Sequence, residues 1–234
     1  MDAIILAGGK GTRMQPLTAT TPKPLLQVQG RPILEWSLLC LPQTVDHVIV
    51  VVNYLREQVA DYMVHQSIIR NYTLVEQWPN PLGTGHALQC CQPHLRSHEF
   101  LVLNGDDLYD KASVQQLAQQ PLAILGSMSK EPSQFGVLKT DGYKLKSIIE
   151  KPIQVTPPAL VNAGAYKMDQ RIFDFQLKLS ARNEYEITDY VQYLASSAEV
   201  TVVSGAFWFP IGRPEDLAQA QSLDLDALIK AISE

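Results

Sequence analysis

An apolar, β-branched run at residues 3–7 opens directly into a glycine-rich turn with two cations close behind it. The stretch reads LAGGKGTRM from Leu6 to Met14 and is followed by TPKPLL from Thr21 to Leu26. A buried strand ending in Gly8, Gly9 and Gly11 can turn backbone N–H groups toward an anion, because glycine takes dihedrals closed to other residues. Arg13 and Lys23 add the positive charge that a polyphosphate demands. Two common phosphate loops fail on residues: a Walker loop needs Ser or Thr after its Lys, whereas Lys10 precedes Gly11. A dinucleotide fingerprint begun at Gly9 needs a third glycine where the chain has Met14.

Strand and helix patterns alternate through the first half. Residues 33–41 read as a helix opened by Pro32, 45–53 as a strand, and 55–65 as a helix with apolar positions 55, 59 and 63. Strands at 72–75 and 100–103 then alternate with helices at 84–91 and 114–120. Such alternation predicts an α/β chain with a doubly wound, mainly parallel, Rossmann-like sheet, its ligands at the carboxyl ends of the strands. The second half differs. Strands are expected at 122–128, 136–139, 144–149 and 163–168, the middle two forming a hairpin about Asp141 and Gly142, which makes a smaller mixed β subregion. Residues 154–159, with Pro157 and Pro158, read as a loop, and helices at 187–195 and 214–232 flank a strand at 200–203. Neither a repeat nor a linker divides the chain, so residues 1–234 are expected to form one domain, with a nucleotide part near 1–110 and a second part near 111–234.

Composition limits the partners. A formal net charge of −5 disfavours nucleic-acid and membrane-surface binding, so a phosphate ligand must be met by a local cation cluster. Three cysteines, two of them adjacent at Cys90 and Cys91, make no disulfide framework and suggest a reducing compartment. Without a leader pattern or an apolar run of bilayer length, the cytoplasm is the expected location.

The two small residues, Gly-x-Gly, Thr-Arg pair and downstream Pro-Lys-Pro resemble the signature of the sugar-phosphate nucleotidyltransferases, or nucleotide-sugar pyrophosphorylases. The resemblance spans Ala3 to Ala220 and implies a GT-A-like sheet with a sugar-binding second part. It implies that Leu6, Ala7, Gly8, Gly9, Gly11, Thr12 and Arg13 hold the triphosphate. Lys23 is placed at the α-phosphate, where a fixed cation neutralises charge on five-coordinate phosphorus.

The segment EQWPNPLGTGH at 76–86 resembles the base-reading loop of the uridylyltransferase branch. The Gln77 amide can donate and accept, as the imide edge of uracil requires. Gly83 is expected to admit backbone close to the base, and Thr84 to cap the following helix. LVLNGDD at 101–107 is a strand ending in carboxylates, a place for a hard cation. The resemblance puts Mg2+ on Asp106, with Asn104 and Gly105 beside the nucleotide and Asp107 as helper or turn residue.

On the substrate side, IIEKP and VNAGAY imply Glu150 and Asn162 on the sugar and Lys151 on its phosphate, while Gly136 and Glu184 match positions near the sugar. Taken alone, Glu150 and Lys151 read as a surface salt bridge and Glu184 as a first-turn helix acid. His86, Cys90 and His94 recur at helical spacing, with Cys91 and His98 nearby, but without paired Cys-x-x-Cys elements they are read as packing residues rather than zinc ligands. The stripe of Leu225, Leu228, Ile229 and Ile232 suits core packing or a subunit contact, leaving room for a homo-oligomer.

The implied activity is in-line transfer of a nucleotidyl group from a nucleoside triphosphate, UTP first, to a sugar 1-phosphate, with pyrophosphate leaving and no covalent enzyme intermediate. Thymidylyl and guanylyl transfer stand as alternatives. Isoprenoid-pathway cytidylyltransferases expect Pro-Lys-Gln where this chain has Pro22, Lys23 and Pro24. Some relatives add a left-handed β-helix domain, which a chain of this length is expected to lack. One departure keeps a different class open. The family pattern Trp-x-Asp-x-Gly supplies a second metal ligand, but Trp208 is followed by Phe209, Pro210, Ile211 and Gly212. Either water or Asp107 completes the magnesium shell, or the fold serves as a non-catalytic nucleotide-sugar sensor.

Overall fold

The computed structural model describes residues 1–230, and one nine-stranded sheet organises them. The first half of the chain gives this sheet β1 (Asp2–Leu6), β4 (His47–Val52), β5 (Tyr72–Glu76) and β6 (Glu99–Asn104), and between β1 and β4 forms a separate ribbon of β2 (Gln27–Val28) and β3 (Arg31–Pro32). The second half adds β8 (Ala123–Ser129), β9 (Gly136–Asp141), β10 (Lys144–Glu150), β11 (Ala159–Asp169) and β12 (Thr201–Ser204), while β7 (Asp107–Tyr109) and β13 (Trp208–Pro210) pair as a ribbon of their own. The helices are α1 (Ile33–Leu39), α2 (Arg56–His65), α3 (Thr84–Cys91), α4 (Lys111–Gln119), α5 (Ile187–Ser197), α6 (Pro214–Ala220) and α7 (Leu225–Ile229). Across the sheet the order is β5-β4-β1-β6-β11-β8-β12-β10-β9.

The strand sequences explain the layers. All six residues of β4 are buried, and a strand covered on both faces is free to be a continuous apolar run. Successive side chains go to opposite faces. Ile4, Ile49, Val51, Phe100 and Val102 pack with residues of α3 and α5, whereas Ala3, Ile5, Val48, Val50, Leu101 and Leu103 pack with residues of α1, α2 and α4. Each fully buried Ile of these layers contributes about 2 kcal/mol from its apolar area.

The chain is α/β, but the expected mainly parallel sheet is mixed. Parallel pairing is confined to β5-β4-β1-β6 and to β12 beside β8. Strand β11 enters antiparallel between β6 and β8, and β10 pairs antiparallel with β9 and β12. Parallel neighbours need a long crossover, whereas antiparallel ones do not. Between β8 and β11 the connections are short and hold no α-helix, so the chain returns alongside itself. A further contact, Val161 with Val137, joins β11 to β9 and closes β11-β8-β12-β10-β9 into a ring of pairings.

The expected helix over 214–232 is two helices. It breaks at Asp224, whose side chain accepts from Ala227 N and starts α7 afresh. Leu225 is buried, and Leu228 and Ile229 pack on the same cluster as Met14 and Val28, so this stripe faces its own core; Ile232 lies outside the described residues. Cys91 is buried in the main core cluster, and among the described residues no three His, Cys, Asp or Glu side chains gather to hold a metal. No helix of the described residues is long and apolar enough to cross a membrane.

Candidate active site

The carboxyl ends of β1 and β6 meet at a smaller cleft of about 540 Å³ lined by Leu6, Ala7, Gly9, Gly11, Thr12, Arg13, Lys23, Asp106 and Gly212. The loop glycines serve three different ends. Gly11 alone of the three has a left-handed φ, +60°, and an added methyl there would lie 2.9 Å from Thr18 Cγ2. Beside Gly9 there is open space, so a ligand can approach the backbone. Gly8 lines no cleft: its position is crowded by the main chain of Val52 and Asn53, 3.3 and 3.4 Å from an added Cβ. Gly105 is also structural, with Leu6 O 3.0 Å from an added Cβ.

A larger cleft of about 1300 Å³, open to solvent, continues from this loop. Arg13, Lys23, Asp106 and Gly212 line both, so the two form one groove. The larger part gathers Thr84, Asn104, Gly136, Glu150, Lys151, Asn162 and Glu184 from elements far apart in sequence. All five residues expected on the sugar side are therefore brought together. Lys151 takes φ +42°, a left-handed conformation unusual outside glycine, while its N–H donates to Phe135 O at 3.1 Å.

Electrostatics concentrate where the two parts join. Lys23, only 7% exposed, donates from Nζ to Asp106 Oδ2 at 2.5 Å. Asp107 is buried beside this pair, and its Oδ2 accepts from Asn104 Nδ2 (3.3 Å), Trp208 Nε1 (3.2 Å) and Tyr109 OH (3.4 Å). Burial, then the neighbouring Asp106 charge, pushes the Asp107 carboxyl up to about 7, against the pull of Lys23. In the β7-β13 ribbon Asp107 pairs with Pro210, the position where the family pattern has its second carboxylate. Asp107 thus occupies the strand position facing the missing ligand.

This donor set suits a hard divalent cation. Asp106 opens onto the groove at 37% exposure, and Asp107 Oδ1 accepts no hydrogen bond, so carboxylate oxygens remain for metal. Magnesium commonly takes one or two carboxylates and completes its octahedron with water and phosphate, so Pro210 does not disqualify the site.

Other expectations are corrected by the geometry. Thr84 does not cap its own helix: the residue before α3 is Gly83, and Thr84 Oγ1 instead accepts from Ile187 N at 3.1 Å, satisfying the start of α5. Gly83 lines neither cleft; at φ +99° its backbone lies against the 184–185 segment, with Tyr185 O 2.6 Å from an added Cβ. Gln77 also lines neither cleft, and its Nε2 donates to Gly83 O at 2.8 Å. Glu184 lies two residues before the N-cap of α5, Glu186, and not in its first turn.

Arg182 and Glu186 were not anticipated. The Arg182 guanidinium grips Glu186 with 2.8 Å bonds to both carboxylate oxygens and also reaches Glu150 at 3.4 Å. It ties the sugar-side carboxylates into one network, and burial pushes the Glu150 carboxyl above its usual range. The i,i+4 spacing of Arg182 and Glu186 around NEYEITD was the available signal.

A model of the nucleotidyl transferase family matches residues 2–227. The chain belongs to that family. It is 34% identical over 239 residues to a bifunctional protein GlmU of Methanococcus maripaludis, an alignment covering 100% of this chain and 56% of the relative. A bifunctional sugar-1-phosphate nucleotidylyltransferase/acetyltransferase of Sulfurisphaera tokodaii is 29% identical, covering 98% of this chain and 57% of its own length. The chain thus spans about half the length of these curated relatives. A solved structure assigned as a glucose-1-phosphate thymidylyltransferase from Bacillus anthracis, in complex with a sucrose, superposes with a TM-score of 0.84 at 25% identity, covering 100% of this chain and 98% of that one. The architecture described above is accordingly that of a sugar-phosphate nucleotidyltransferase domain.

Proposed function

We propose that this chain transfers a nucleotidyl group from UTP to a hexose or N-acetylhexosamine 1-phosphate, with magnesium as cofactor. The observation that carries the reading is the single groove in which Arg13, Lys23 and Asp106 stand between the glycine loop and the sugar-side residues. In this reading the loop amides and Arg13 bind the triphosphate, and Glu150, Asn162 and Glu184 hold the sugar with Lys151 near its phosphate. A phosphate oxygen of the sugar phosphate attacks the α-phosphorus, the bond to the bridging oxygen breaks, and pyrophosphate leaves with that electron pair. Lys23 balances charge as it gathers on the α-phosphate. Bound magnesium would be held by Asp106, with Asp107 adjacent, and would supply charge neutralisation on the phosphates.

Pyrophosphate release, measured over a matrix of nucleoside triphosphates and sugar 1-phosphates, tests the proposal. Turnover is expected with a pyrimidine triphosphate and a hexose-type phosphate. GTP as best donor would overturn the base assignment, and silence with every pair would favour the sensor reading. dTTP is the second candidate donor, supported by the full-length similarity to a chain assigned as a thymidylyltransferase. A soluble, cytoplasmic setting accords with the cysteine usage and belongs to the same proposal.

A further inference from the structure

We infer that His86 is a positioning residue for base choice: it fixes the Gln77 carboxamide with its oxygen toward the base, selecting uracil or thymine over cytosine. The inference rests on the reading of Gln77 as the base contact and adds what decides its orientation. Gln77 directly follows β5, its N–H donates to Val52 O at 3.0 Å, and Asn53 Nδ2 donates to its carbonyl at 3.0 Å. The main chain of Val52 and Asn53 in turn abuts Gly8 of the phosphate loop. Gln77 therefore stands on the ligand edge of the sheet, two strand spacings or roughly 10 Å from that loop.

The side chain is 5% exposed and its partners leave one orientation. Nε2 lies 2.8 Å from Gly83 O and 3.2 Å from His86 Nδ1. A main-chain carbonyl can only accept, so the amide nitrogen must face Gly83. Its second N–H then points at His86 Nδ1, which must carry a lone pair, leaving the ring proton on Nε2, 3.8 Å from Cys90 Sγ. Burial lowers the His86 pKa, which favours the neutral ring this requires. The Tyr185 ring flanks the imidazole at 6.4 Å between centroids.

With both amide hydrogens engaged, Gln77 has only its oxygen to offer. Among the described residues Oε1 accepts no hydrogen bond and no buried side-chain N or O atom lacks a partner, so Oε1 opens to solvent. An acceptor held there pairs with the N3–H of uracil or thymine and meets only a lone pair on N3 of cytosine. Without His86 one anchor is gone, and the amide can turn its NH2 group to the base instead.

The test is calorimetric titration of UTP and CTP into the protein with magnesium and no sugar phosphate, so that turnover is not needed. His86 is half-buried, and thermal melts check that each variant folds. Wild type is expected to bind UTP over CTP by about 100-fold or more. His86→Leu should lower that ratio about tenfold, the worth of one hydrogen bond. His86→Asn, whose amide oxygen can replace the Nδ1 lone pair, should stay within roughly threefold of wild type on the same scale. A wild-type ratio in folded His86→Leu would overturn the positioning role. Gln77→Leu distinguishes the two layers: if it leaves the ratio unchanged, Gln77 does not read the base, and the proposed base contact fails together with the inference.

Discussion

Replacing Lys23 with Met keeps the buried stem and removes the charge, which separates the ion pair seen in the structure from the transition-state duty proposed for the same ammonium. In the free protein Lys23 Nζ lies 2.5 Å from Asp106 Oδ2, with side-chain exposures of 8% and 37%. The partly exposed carboxylate screens the pair, so its loss should cost about 1–2 kcal/mol of stability rather than the larger penalty of a fully buried bridge. In the transition state the same charge should count for more, since a fixed cation at a developing charge typically supplies about 2.7–4 kcal/mol, or 10²–10³ in rate. Urea melts give the first number and pyrophosphate release at saturating substrates the second. In a cycle with Asp106→Asn, the two stability losses should couple by about 1–2 kcal/mol, because each variant breaks the same pair. Turnover in the double variant should be no better than in either single one. A Lys23→Met enzyme with kcat within about threefold of wild type and only a raised KM would refute the reasoning, reducing Lys23 to a ground-state contact.

Asp106→Ala should nearly abolish turnover at any magnesium concentration and weaken Mn2+ binding followed by electron paramagnetic resonance; full activity or unchanged Mn2+ affinity would remove Asp106 from the metal site. The Asp107 carboxyl is raised from 3.8 to about 7 in the folded state, so the folded state binds its proton more tightly than the unfolded chain. Its stabilising contribution is complete below about pH 4 and declines as pH rises through about 7, the sign expected for a raised carboxylate. Wild type should therefore lose stability relative to Asp107→Asn between pH 4 and 7 without metal, and parallel curves would show that Asp107 titrates normally. Gly164 takes φ +71°, and a methyl there would overlap Asn104, which donates to Asp107. Gly164→Ala should cost about 2–4 kcal/mol, from left-handed backbone and a displaced hydrogen bond, or roughly 5–10 °C in Tm; an unchanged melt would contradict this crowding.

The residues that line the smaller cleft were legible in sequence because most of them lie close together in the chain. Gly9, Gly11, Thr12, Arg13 and Lys23 all gather at the end of β1, and an apolar run before a glycine turn marks such a strand end in the sequence. What escaped was set by partners far away in sequence. Thr84 looked like a cap for the helix it begins, yet its hydroxyl serves Ile187, more than a hundred residues later. Arg182 reads as an ordinary surface charge until the fold delivers Glu150 to it. The parallel expectation held where helices intervene between strands and failed at β9, β10 and β11, where each strand alone could not reveal that β11 would insert beside β6. Pro210 could be read as a missing ligand, but not as the residue facing Asp107, because the short β7-β13 ribbon has no periodic signal of its own.

Strand β11 belongs to both parts of the sheet: Ala165–Asp169 pairs with β6, and Val161 with β9, with the register shift against β8 between them. Asn162 borders that shift and Gly164 lies in it, and Gly164 N donates to Asn162 Oδ1 at 2.9 Å. One continuous piece of backbone therefore joins the sugar-side asparagine to the strand whose end carries Asp106. In the proposed reading the span from Asn162 to Asp106 is set by paired strands. If that reading holds, the groove works as a gauge of fixed length: a substrate whose ring stands one bond farther from its phosphate is expected to lose its contact with either Asn162 or Asp106.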